Sequence, residues 1–257
     1  MTMLDRSGVG IYYEDHGGGR DAPAVMLTHG FCASSRMWES QMVELGKRYR
    51  LITWDMRGHG RSDSPLEQSQ YSEVLTVGDM AAVLDICGID RAVIGGLSLG
   101  GYFSMAFNIV HPLRVRALLL CDTGPGFKKD EARRVWNERA ERRAQDLEAQ
   151  GIDFEKAGDE VRSAQHRSVG GLVRAARGML IQRDGAVMQS LDKIMAPTMV
   201  LVGADDSMFL AAADYMAGKI VNARKVVIPG AGHASNMHQP ALFNSAVDDF
   251  LKELAPE

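Results

Sequence analysis

Short apolar runs separated by longer amphipathic stretches set the rhythm of this chain. The runs are Val9–Tyr13, Ala24–Thr28, Leu51–Trp54, Ala92–Ile94, Val115–Cys121, Thr198–Val202 and Lys225–Ile228. Three stretches within them, Ala24–Leu27, Ala117–Cys121 and Met199–Val202, are nearly all apolar and lack the polar alternation of a half-exposed strand. Strands covered on both faces read this way, so the runs predict a mostly parallel sheet flanked by helices. Candidate helices lie between them at Met37–Lys47, Ser72–Cys87, Leu99–Val110, Leu210–Lys219 and Ala241–Leu254. In the second of these, Met80, Val83, Leu84 and Cys87 recur at helical spacing. The alternation predicts a doubly wound α/β sheet with right-handed crossovers.

The rhythm breaks between Gly124 and Met195, where no convincing strand occurs. Lys128–Gln150 is dense in Arg, Glu and Ala, and Ala132, Val135, Trp136, Ala140, Ala144 and Leu147 fall on one helical face. Further helix-like sequence follows, including Leu172–Gln182. The expected organisation is therefore an α/β core over 1–123 and 196–257, interrupted by a helical cap over 124–195. The Arg/Glu run reads as a solvated helix face rather than a binding patch.

Composition narrows the function classes. A length of 257 residues suits one large α/β domain or two small ones, and 46% hydrophobic with 24% charged residues is the balance of a globular enzyme. The net charge of -4 provides no basic stripe, so no nucleic-acid partner is expected. No stretch approaches the ~20 apolar residues of a membrane span, and Met1–Gly10 lacks the apolar run of a signal peptide. No membrane partner and a cytoplasmic location are expected, while homo-oligomerisation stays open. Cys32, Cys87 and Cys121 are scattered and show no metal-ligand spacing, so they read as buried thiols.

Gly96-Leu97-Ser98-Leu99-Gly100 has the form Gly-x-Ser-x-Gly. Alone it could be a tight turn with an idle serine. Its context changes that, because Ala92-Val93-Ile94 precedes it as a strand and Gly101–Phe107 continues as a helix. A strand-to-helix turn of this kind needs small neighbours on both sides and presents the hydroxyl beside a helix N-terminus. A serine nucleophile needs a base, and the base needs an orienting carboxylate. His233 follows the run ending at Ile228, and the adjacent Asp205 and Asp206 follow the run ending at Val202. The chain order is thus Ser, Asp, His, each just past a strand. Of the rival histidines, His29 and His59 read as shaping turns, and His111, His166 and His238 carry no catalytic signal. Asp122, in Asp122-Thr123-Gly124-Pro125, reads as a turn residue.

In these motifs the chain resembles the α/β-hydrolase superfamily from about Val9 to Leu254. His29-Gly30-Phe31 is similar to the family's His-Gly-x turn, and Asp55-Met56-Arg57-Gly58-His59-Gly60-Arg61-Ser62 resembles its Asp-x-Arg-Gly-His-Gly-x-Ser turn. The resemblance implies an eight-stranded sheet and an oxyanion hole formed by the backbone N–H groups of Phe31 and Leu99. Its Gly-x-x-Asp pattern falls on Gly203–Asp206 and implies Asp206, rather than Asp205, as the partner of His233. The elbow Gly95–Gly101 also resembles those of enol-lactonase-like members.

The expected activity is serine hydrolysis of a small apolar ester or lactone through an acyl-enzyme, with Ser98, His233 and Asp206 as the triad and no metal or organic cofactor. A carbon–carbon hydrolase or a cofactor-free perhydrolase would keep the same triad. A ligand receptor on a hydrolase scaffold would keep the fold without turnover. Trp136 and Met179 are candidate substrate-lining residues of the cap, and Met195, Met208 and Met237 are further methionines expected to border a cleft.

Overall fold

Side chains on successive strand residues point to opposite faces, so a strand buried on both sides must feed two cores. The strand Val115–Cys121 does this: Leu118 and Leu120 enter one core, and Ala117, Leu119 and Cys121 enter the other. The computed structural model describes residues 2–19 and 22–254; residues 1, 20–21 and 255–257 of the expected core lie outside them.

Eight strands make one sheet: β1 (Thr2–Asp5), β2 (Gly10–His16), β3 (Ala24–Thr28), β4 (Arg50–Trp54), β5 (Ala92–Leu97), β6 (Val115–Cys121), β7 (Thr198–Gly203) and β8 (Ala223–Ile228). Their spatial order is β1-β2-β4-β3-β5-β6-β7-β8. The pairs β1/β2 and β2/β4 are antiparallel, and every pair from β4 to β8 is parallel. The strand order reverses between β3 and β5, which places a crevice beyond their carboxyl ends.

The helices outside the β6–β7 connection are α1 (Glu39–Leu45), α2 (Glu73–Ile86), α3 (Leu99–Val110), α8 (Leu210–Lys219), α9 (Ser235–His238) and α10 (Pro240–Glu253). Residues of α2, α3 and α8 share one core, and residues of α1 and α10 share the other. The β6–β7 connection carries α4 (Asp130–Gln150), α5 (Asp159–Arg162), α6 (Val169–Ala175) with a π-helical turn over Ala176–Leu180, and α7 (Ala186–Ser190).

This helical insertion has a small core of its own, Ala144, Leu147, Val161, Leu172, Val173 and Ala176, which closes on Cys32 just after β3. Of the expected apolar stripe on α4, Ala140, Ala144 and Leu147 are buried, whereas Val135 is exposed. Among the described residues, no helix is long and apolar enough to cross a membrane.

Candidate active site

Ser98 sits between β5 and α3 with φ 56° and ψ −116°, a left-handed conformation unusual for a residue with a side chain. Close backbone approach enforces it. A Cβ on Gly100 would lie 2.2 Å from the Thr28 carbonyl oxygen, so only glycine lets α3 start this near β3. The backbone is pinned on the other side as well. Ser98 N–H donates to the Cys121 carbonyl at 2.9 Å, and the Thr123 hydroxyl donates to the Ser98 carbonyl at 2.6 Å.

His233 lies in the loop between β8 and α9, and Asp206 lies between β7 and α8. Asp206 is 5% exposed and its Oδ2 is 2.8 Å from His233 Nδ1, which donates as an N–H. Asp205 is exposed. The Phe209 ring stacks on the imidazole, with centroids 5.1 Å apart. Burial pulls the His233 pKa down, but the hydrogen bond and charge of Asp206, with the charges of Asp122 and Glu160, leave it above the ordinary value.

Asp122 departs from its reading as a simple turn residue. It is wholly buried at the end of β6 with φ 45°, Oδ1 accepting from Gly203 N–H at 2.8 Å and Oδ2 accepting from the Ser235 hydroxyl and N–H. One carboxylate thus ties together the ends of the Asp206 and His233 loops. Burial pushes its pKa up to about 6, against the pull of these hydrogen bonds and of His233.

The turn after β3 is held by His29, which is buried. Its Nδ1–H donates to Gly30 O at 2.7 Å and its Nε2 accepts from Met56 N–H at 3.0 Å, so both nitrogens are used in the neutral form. Burial lowers its pKa to about 4. Among the described residues, the N–H groups of Phe31 and Leu99 make no hydrogen bond within the chain; that of Leu99 is an orphan donor of the first helical turn. His59 is buried among the rings of His29, Phe31 and His166, and Asp55 accepts from Ser35 N–H and Arg61 N–H, so the Asp55–Ser62 turn is structural.

A cavity of about 300 Å³ opens beside Ser98 and Leu99. Trp136 and Met179 line it, as does Met208; Met195 is exposed on the surface, and Met237 packs against the core containing α1 and α10. Phe31, Asp206 and His233 do not line this cavity. Tyr102, Arg139, Gln182 and Phe209 do, and sequence reading passed over all four. Tyr102 lies one helical turn beyond Ser98, a spacing that marks it, whereas Arg139 was hidden in a charge run. Among the described residues, no cluster of His, Cys, Asp or Glu is arranged to hold a metal ion.

Comparison with known proteins agrees with this fold. The family model described as alpha/beta hydrolase fold matches residues 23–151. The chain belongs to the α/β-hydrolase fold family. It is 30% identical over 263 residues to a 2-hydroxymuconate semialdehyde hydrolase of Pseudomonas sp. (strain CF600), covering 95% of this chain and 92% of the relative. It is 26% identical over 252 residues to 3-oxoadipate enol-lactonase 2 of Acinetobacter baylyi (strain ATCC 33305 / BD413 / ADP1), covering 91% of each. A solved structure of a thermophilic esterase from Thermogutta terrifontis superimposes with a TM-score of 0.84 at 28% identity, covering 99% of this chain and 98% of that one. Membership places the chain in a family of hydrolases, and similarity at this level spans several substrates.

Proposed function

We propose that the chain is a serine hydrolase that cleaves a small ester or lactone through an acyl-enzyme at Ser98. The observation that carries this reading is the His233–Asp206 hydrogen bond of 2.8 Å, in a site where Ser98 is held at φ 56° at the mouth of a cavity. Ser98 Oγ adds to the acyl carbon as its proton passes to His233 Nε2. Asp206 keeps the Nδ1 proton in place and stabilises the imidazolium. The free N–H groups of Phe31 and Leu99 receive the developing oxyanion, usually the largest catalytic term. The carbon–oxygen bond then breaks, the leaving alkoxide takes the proton from His233, and water attacks the acyl-enzyme with His233 again as base.

A cavity of about 300 Å³ is at the small end of ligand pockets and fits a small acyl group. Enclosure of the cavity by insertion residues Trp136, Met179 and Leu180 supports a capping role for 124–195.

The test is Ser98→Ala. The folded variant should lose turnover of p-nitrophenyl butyrate and labelling by a fluorophosphonate probe, and near-wild-type turnover would overturn the assignment. A second reading, carbon–carbon bond hydrolysis with the same triad, draws on the 30% identical relative. Vinylogous ketone turnover exceeding that of every ester and lactone tried would favour it.

A further inference from the structure

The wall of the Ser98 cavity is apolar over most of its extent, formed by Leu99, Phe127, Trp136, Met179, Met208 and Phe209 among others. Besides Ser98 and the Trp136 indole, whose N–H donates to Leu180 O, four hydrogen-bonding side chains interrupt it. Two are occupied: the Tyr102 hydroxyl donates to Glu73 Oε2 at 2.9 Å, and the Thr123 hydroxyl donates to Ser98 O. The other two are Gln182 and Arg139.

Gln182 is only 8% exposed, and its Oε1 accepts from Phe127 N–H at 3.0 Å. That bond fixes which end of the amide is which and leaves the NH2 as the half with no acceptor among the described residues. Arg139 lies on α4 three residues after Trp136, and it too has no ion pair or hydrogen bond among the described residues. Arg133 pairs with Asp130, and Arg134 with Glu131 and Glu138, on the same helix. Arg142 also has no ion pair among the described residues and Arg143 faces the Cys32 thiol, but of the arginines of α4 Arg139 is the one that lines the cavity.

An apolar chamber with a guanidinium and a fixed, unmet NH2 on its wall is matched by a ligand that brings an anionic oxygen pair on a short apolar chain. We propose that Arg139 and Gln182 form a carboxylate-recognising subsite, so that the substrates are small esters or lactones whose acyl portion carries a free carboxylate. This rests on the serine-hydrolase reading of the same site and adds to it the substrate class. Arg139 is itself exposed, so its charge is partly screened and its effect is moderate and sensitive to salt.

Two arms separate the subsite from the chemistry. In the first, kcat/KM is measured for mono-p-nitrophenyl glutarate and p-nitrophenyl valerate, which differ in a terminal carboxylate. The wild type should prefer the glutarate ester. Arg139→Met should cut kcat/KM for that ester about tenfold more than it cuts that for the valerate ester. Gln182→Glu keeps an oxygen for Phe127 N–H and reverses the donor, so it should lower the glutarate ester further relative to valerate. Arg139→Lys should recover part of the preference.

In the second arm, glutarate and valerate binding to the Ser98→Ala protein is measured by calorimetry. Glutarate should bind more tightly, and Arg139→Met should remove the difference. Near-wild-type turnover of both esters by the Ser98→Ala protein, or none by the wild type, with selective glutarate binding retained, would overturn the serine-hydrolase reading and leave the subsite standing. Equal kcat/KM for the two esters, equal losses on both in Arg139→Met, or no glutarate preference in the binding arm would overturn the subsite.

Discussion

Adjacent carboxylates at 205 and 206 show how far a side chain's role depends on a single position of register. The turn after β7 buries Asp206 on the imidazole and turns Asp205 to solvent. Asp206→Asn should therefore lower kcat by ~10²–10⁴-fold, since the amide favours the wrong imidazole tautomer, while Asp205→Asn stays within about twofold. Comparable losses at Asp205 would reverse the choice. The pH profile carries a second signature. His233 must be neutral to accept a proton, and its pKa is raised, so the acid limb of kcat/KM should lie above the unperturbed value of about 6.5. Burial opposes that rise, and in Asp206→Asn it acts without the opposing carboxylate, so the limb should move to lower pH along with the loss in rate. A limb that stays in place would mean another group sets it. Asp122 is the counterexample to local reading: its sequence neighbours mark a turn, and nothing in them reveals the burial or the two loops it holds.

Elements whose apolar positions repeat with a clear period were legible from sequence, and those held by tertiary contact were not. The helices α3 and α8 begin and end where the pattern places them, and all seven apolar runs became strands. The eighth strand, β1, has three exposed residues and one half-buried, so it carries no hydrophobic signal and forms by pairing with β2 at the sheet edge. The expected helix Leu172–Gln182 instead joins α6 to a π-helical turn ending at Leu180. The elbow was legible because its constraint is local: strand, glycine, serine, glycine, helix. That constraint gives a direct test. Gly100→Ala places a methyl group 2.2 Å from the Thr28 oxygen, and relief requires α3 to move off β3. The variant should lose about 2–3 kcal/mol of stability in denaturant unfolding, and the fraction that folds should label poorly at Ser98. Unchanged stability with full labelling would show that the helix can shift freely. Arg139 failed to stand out for the opposite reason, because its identity as a cavity residue depends on where α4 packs and not on the charge pattern around it.

At the scale of the whole molecule the central question is how the insertion is attached to the α/β core. His166 is one tether: its Nε2–H donates to Cys32 O at 2.9 Å, and its Nδ1 accepts from Gly60 N–H at 2.9 Å. The bond from Gly60 needs the neutral ring, since an imidazolium cannot accept at Nδ1, and burial lowers its pKa. A lowered folded pKa gives stability that is present above the unfolded value near 6.5 and is lost as pH falls through the folded one. His166→Gln should thus be less stable than wild type near pH 7.5, and the gap in Tm should narrow on acidification below about 6.5. A constant gap would remove His166 titration from the account. If the insertion is held this way, its residues are fixed walls of the cavity. Met179 is 1% exposed and packs into the same core as Leu99 while lining the cavity, so its truncation enlarges the space beside Ser98. Trp136 is less informative, since its indole N–H donates to Leu180 O at 2.8 Å and its loss disturbs the insertion itself. Met179→Ala should shift the relative kcat/KM of bulky against short acyl esters toward the bulky ones by ~1–3 kcal/mol, the range of hydrophobic pockets. It should also cost ~2–5 kcal/mol of stability, so the assay belongs well below the variant's Tm with fluorophosphonate labelling as the control. A variant that labels normally and keeps the wild-type acyl preference would make the insertion a cover alone, with selectivity set by core residues such as Phe209 and Ala212 on the facing wall.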